Sequence, residues 1–151
     1  MLSIEICNDQ DLLPVNEDQL RRAAEAVLVD AKIHTAVLSI AVVDDLSIHA
    51  LNRQFLQHDY PTDVLSFVLE QDEGRLEGEV IASAETAARA ARQYGWSADA
   101  ELLLYVIHGT LHLVGHDDQD DAAREAMRAA ERHHLARFGL QARELPPDGN
   151  D

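Results

Sequence analysis

An α+β fold, a small mixed β-sheet of about four strands packed with about five helices, is what this sequence predicts. Three observations carry the prediction. Segments that alternate apolar and polar residues, or run β-branched, are interspersed with segments whose apolar residues recur at three and four. Their order reads β, α, β, α, β, β, α, α, α, with strands partly segregated from helices. One late helix is apolar nearly all round, so it must be buried, against one face of the sheet. The chain has 151 residues, 46% of them hydrophobic, enough for one domain with a single core. That domain is expected over residues 1–143, with a disordered tail over 144–151 that holds Pro146, Pro147 and Gly149.

Residues 2–7 alternate as a half-buried strand does. Pro14 interrupts, and Asn16 or Asp18 caps a helix through about Lys32, with Leu20, Ala23, Ala24, Val27 and Leu28 on its inner face. Ala36 to Val43 is apolar and β-branched, hence a strand. Asp44 and Asp45 open a second helix that places Ile48, Leu51, Asn52 and Phe55 on one side, and Asp59 to Pro61 is a loop. Val64 to Leu69 reads as a strand and Glu79 to Ala82 as its return. The acidic stretch Gln71 to Gly78, with its two glycines, forms the hairpin-type connection. Ser83 caps a helix that stops at Gly95, and Ser97 starts the apolar one, which runs to Val114. Asp117 to Asp121 lead into a last helix through about Phe138, with Arg124, Arg128 and Arg132 on its outer face. Those arginines either hold RNA or pair with nearby acids.

The formal net charge is −16, from 28 acidic and 12 basic residues. Such a surface repels nucleic acid at long range, so an RNA partner would have to be met by a local basic patch or through a metal ion. The one cysteine excludes an internal disulfide. Cys7, among Leu2, Ile4 and Ile6, is expected as a small core residue. The first residues lack the basic and apolar regions of a signal peptide, and no run approaches a membrane span, so a cytoplasmic protein without membrane contact is the expectation.

The chemistry concentrates in the run His108-Gly-Thr-Leu-His112-Leu-Val-Gly115-His116-Asp117-Asp118. Two histidines four apart on a helix point the same way, one turn above the other. Gly115 can end the helix in the left-handed region, turning the chain back, and Asp118 follows three residues later. Histidine on a buried helix is most often a core residue with both nitrogens satisfied. Here, however, two imidazoles in an apolar helix would each be costly without a partner. His108, His112 and Asp118 converging with a fourth position open is how a catalytic zinc site is built, and one Zn2+ per chain is expected. His116 either joins the ligands, binds substrate beside them, or is an exposed loop residue. Asp117 either orients a ligand imidazole or caps the next helix.

The run HGTLHLVGHDD resembles the signature of the YbeY family, bacterial endoribonucleases of ribosomal RNA maturation. Two further stretches agree: Leu51-Asn52, Phe55, Asp59 and Pro61 to Phe67, and then Gly78-Glu-Val-Ile81. Order and spacing match over roughly residues 35 to 135. The resemblance implies a zinc-dependent endoribonuclease acting in ribosomal RNA processing and ribosome quality control, with ribosomal RNA and small-subunit proteins as partners. It departs at two positions. Asp118 stands where the family usually has a third histidine, and Leu56 stands where it usually has an arginine for the RNA backbone.

Metal-assisted hydrolysis is the chemistry these residues suggest, with a water acidified toward neutrality. The missing phosphate clamp could come from Arg53 or His58. Thr62 and Ser66 could edge the cleft, and Asp63 is a base or a turn residue. The His-x-x-x-His-x-x-Gly-x-x-Asp spacing is also that of metzincin-type zinc peptidases, which place a glutamate directly after the first histidine; this chain has Gly109. A peptidase and a non-catalytic, ribosome-associated metal-binding module therefore stand as alternatives.

Overall fold

The computed structural model describes residues 1–56, 64–117 and 119–141, without the side chains of 52–56. The elements are β1 (Leu2–Asn8), α1 (Glu17–Asp30), β2 (Thr35–Val43), α2 (Asp45–Leu56), β3 (Val64–Asp72), β4 (Arg75–Ser83), α3 (Ala84–Tyr94), α4 (Ala98–Leu113) and α5 (Asp121–Ala136). Their order is the one read from the sequence, and the class is α+β. The tail expected over 144–151 lies outside the described residues. Among the described residues no helix is long and apolar enough to cross a membrane.

The sheet runs β1-β2-β4-β3. β1 is parallel to β2 and β2 to β4, so α1 and the α2–β3 segment are the crossovers. β3 returns antiparallel on β4. The two faces separate along β1, β2 and β4, as the period of two demands, while β3 is exposed on both sides from Val68 on. Leu38, Ile40 and Val42 of β2, with Leu76, Val80 and Ala82 of β4, face the main core with α1 and α4. Val43, Leu65 and Ile81 turn the other way and meet Ile48 of α2 in a smaller cluster. α4 is buried at every position from Leu102 through Leu111 except His108, which is partly exposed. A fully buried leucine such as Leu103 stabilises the fold by about 1.5–3 kcal/mol relative to exposure.

Side-chain oxygens fix where the helices begin. Asn16 accepts from the Gln19 N–H, Asp44 from Ser47, Ser83 from Thr86, Ser97 from Ala100 and Asp120 from Ala123. Asp45 also joins two elements. Its carboxylate accepts from the Ser83 and Thr86 hydroxyls and pairs with Arg89 at 2.7 Å, while its N–H donates to Glu85. The start of α2 is thereby latched to the start of α3.

Two sequence expectations are corrected. Cys7 is exposed, not core. β1 is an edge strand, and its alternate positions Ser3, Glu5 and Cys7 turn outward while Leu2, Ile4 and Ile6 turn in. The Asp9 carboxylate accepts from the thiol at 3.3 Å, and this bond and the nearby negative charge push the Cys7 pKa up. The hairpin is also tighter than Gln71 to Gly78. Asp72 pairs with Arg75, so only Glu73 and Gly74 turn the chain, with Gly74 at φ 65° and a register shift between Val68 and Glu70. Gly78 is a strand residue. A Cβ there would lie 2.9 Å from the Phe67 carbonyl oxygen and 3.2 Å from Leu113.

Candidate metal centre

α4 brings His108 and His112 together. Their Nε2 atoms are 3.1 Å apart and their ring planes cross at 77°. The outer nitrogen of His108 is held from α5: Glu131 Oε2 lies 2.6 Å from Nδ1. Glu131 is 4% exposed and the His108 side chain 12%, so little water competes for this contact. A carboxylate only accepts, so the Nδ1 carries the proton and Nε2 presents its lone pair toward His112. A carboxylate–imidazole pair of this kind fixes the tautomer and ring direction of a metal ligand. Zinc–nitrogen bonds of about 2.0–2.1 Å in a tetrahedral site separate neighbouring donors by about 3.3–3.4 Å. The observed separation is close to that, so the pair fits zinc.

The end of α4 follows from Gly115. Its φ is 109°, its N–H donates to the His112 carbonyl, and the next N–H, of His116, donates to Leu111. These two bonds are the reversal that stops a helix and sends the chain back over its last turn. A Cβ at Gly115 would meet nothing within 4 Å, so conformation alone requires the glycine there. Gly109 has the opposite reason. A Cβ there would lie 2.7 Å from Val80 Cγ1, 3.0 Å from Ser66 Oγ and 3.1 Å from Val64 Cγ2. The helix is pressed onto β3 and β4 at that point, one residue from His108.

The remaining expected residues divide as follows. Ser66 sits on β3, and its hydroxyl donates to the Gly109 carbonyl at 3.0 Å, bracing α4 against the sheet. His116 is partly exposed, directly after the turn. Asp117 accepts from the Gln119 N–H at 3.3 Å, and the cap of α5 is Asp120 instead. Asp118, His58, Thr62 and Asp63 lie outside the described residues, as does the side chain of Arg53. In the arginine row, Arg124 pairs with Asp121. Glu131 was not singled out from the sequence, although a signal existed. It occupies the apolar stripe of α5, between buried Met127 and Leu135, where a carboxylate needs a partner.

The family described as Endoribonuclease YbeY matches residues 5–139. Among curated relatives, the Endoribonuclease YbeY of Rhodopirellula baltica is 47% identical over 130 residues, which are 85% of this chain and 66% of that protein. That of Carboxydothermus hydrogenoformans is 40% identical over 140 residues, 91% of this chain and 98% of that protein. The solution structure of TM1509 from Thermotoga maritima superposes with a TM-score of 0.62 at 27% identity, covering 89% of this chain and 87% of that one. With the family matched over nearly all of the described fold, this chain belongs to the YbeY endoribonuclease family.

Proposed function

We propose that this chain is a zinc-dependent endoribonuclease of ribosomal RNA maturation in the cytoplasm, with His108, His112 and Asp118 as the metal ligands. The observation that carries the metal is the pair of facing Nε2 atoms, one of them aimed by Glu131. Glu131 keeps the proton on His108 Nδ1 and the basic nitrogen turned inward. His112, one helical turn on, brings the second imidazole nitrogen. Gly115 reverses the chain immediately before the segment that contributes Asp118, a hard oxygen donor. When bound, zinc supplies a Lewis acid for a phosphodiester oxygen and a water acidified toward neutrality. The family membership supports RNA as the substrate. Because the chain carries −16, the ion also supplies the local positive charge that a phosphate would seek. Arg53, His58, Thr62, Ser66 and His116 are the proposed substrate contacts, and ribosomal RNA with small-subunit proteins the proposed partners.

The peptidase alternative loses support at Gly109. Its general base would be a glutamate directly after the first histidine, and that position is closed by Val80, Ser66 and Val64. The test is cleavage of single-stranded RNA by purified protein. Cleavage should stop with chelation and in His112→Ala, and about one zinc per chain should be recovered. Cleavage that persists without metal rejects the proposal. Leu56→Arg separates an enzyme from a non-catalytic module: a gain in RNA cleavage means a competent scaffold short of a phosphate contact, and no activity in either chain supports the module.

A further inference from the structure

A second group of side chains able to hold a metal ion lies where the C-terminal ends of α1 and α5 meet. Asp30 ends α1, and His133 and His134 are in the last turn of α5. One ligand atom from each lies within 4.8 Å of the others. Asp30 Oδ2 is 3.3 Å from His133 Nε2 and 3.7 Å from His134 Nε2. These separations bracket the edge of about 3.3–3.4 Å that a tetrahedral ion with bonds of about 2.0–2.1 Å needs. His134 is 3% exposed, its Nδ1 has no hydrogen-bond partner, and its Nε2 is beyond hydrogen-bond reach of Asp30. Nε2 is the nitrogen turned toward Asp30 and the one an ion would take, whereas the unpartnered Nδ1 lies on the other edge of the ring. Burial also pushes its pKa down, which keeps it in the neutral form a metal requires. Two helix C-termini converge here, and their partial negative charges favour a cation. The position already holds one: Arg137 Nη2 is 3.0 Å from Asp30 Oδ2 and 3.4 Å from His133 Nε2.

We propose that Asp30, His133 and His134 form a second site for a borderline divalent ion such as zinc, cobalt or nickel, which displaces Arg137 and clamps the end of α1 to the end of α5. Two nitrogens and one carboxylate select this ion class over magnesium or calcium. The site stands independently of the centre on α4, because it shares no residue with it.

Cobalt(II) absorption of the full chain tests this, read with thermal melting. The wild-type chain should bind an ion whose affinity falls at least tenfold in His133→Gln and in Asp30→Asn, and rises severalfold in Arg137→Gln. Beyond the first equivalent, added ion should raise the melting temperature of wild type further but add nothing in Asp30→Asn. His133 and Asp30 are at the surface, so these variants fold, and circular dichroism checks it. RNA cleavage at one equivalent of zinc should be unchanged in His133→Gln. If every ion bound by wild type is bound equally by His133→Gln and Asp30→Asn, the second site does not exist.

Discussion

Replacing Glu131 tests how much of the metal centre is built from outside its ligands. Its Oε2 sits 2.6 Å from His108 Nδ1 in a contact that is nearly dry. Glu131→Gln keeps the volume and an acceptor oxygen but removes the charge that makes the imidazole more basic. Losing an orienting partner of this kind lowers metal affinity about 10–100-fold, equivalent to about 1.4–2.7 kcal/mol. The glutamine variant should fall near the lower end. Glu131→Ala should reach the upper end, because it also leaves a buried Nδ1–H unsatisfied at about 1–3 kcal/mol of stability. The assay is zinc competition against a chelating dye, run beside thermal melts. The expected outcome is weaker zinc binding in Glu131→Gln with a nearly unchanged melting temperature. Zinc affinity within twofold of wild type would falsify it and leave Glu131 as a packing residue. The same contact makes His108→Ala a poor probe, since it strands a buried carboxylate at about 3–5 kcal/mol; His112→Ala is the better removal of a ligand.

The two glycines of the centre should respond differently to alanine. In Gly109→Ala, the overlap with Val80 and Val64 should cost about 1–3 kcal/mol, offset by about 1 kcal/mol of gained helix propensity, and urea unfolding should show the net loss. A double variant with Val80→Ala should recover part of it. Gly115→Ala meets no atoms, so its cost of about 1–2 kcal/mol is conformational and should not be rescued by trimming any neighbour. Acid stability should depend on Asp45. Burial disfavours its charged form, but hydrogen bonds from Ser83, Thr86 and Arg89 and the Arg89 charge outweigh this and hold its carboxyl below the ordinary range. A lowered folded pKa gives stability that is complete above the unfolded value of about 3.9 and is lost as pH falls through the lower folded one. Wild type should therefore lose melting temperature below about pH 4 more steeply than Asp45→Asn; parallel curves would contradict the latch.

The element order was legible because its signals are local. Asn16, Ser83 and Ser97 announce helix starts within three residues of the amides they cap, and Gly115 announces a stop at the residue that adopts φ 109°. Two histidines four apart on an apolar helix were legible for the same reason. Gly74 and Gly78 look alike in sequence, so the hairpin reads as longer than it is. Only the pairing of Asp72 with Arg75 shows one as a turn and the other as a close approach of β4 to Phe67. Cys7 reads as core because it is small and apolar, although the alternation of residues 2–7 puts it in phase with Ser3 and Glu5, on the outward side of an edge strand. Glu131 is 23 residues from His108, and Asp30 is over a hundred from His133. Such contacts depend on how α5 lies across α4 and α1, which local patterns do not encode.

If the facing imidazoles of α4 hold the ion on which RNA cleavage depends, adding zinc back to chelated protein should restore cleavage of single-stranded RNA. Cleavage should rise with zinc and level off near one equivalent in the wild-type chain, and should stay at background in a folded His112→Ala chain. Zinc-independent cleavage, or equal recovery in His112→Ala, would contradict that role of the imidazole pair.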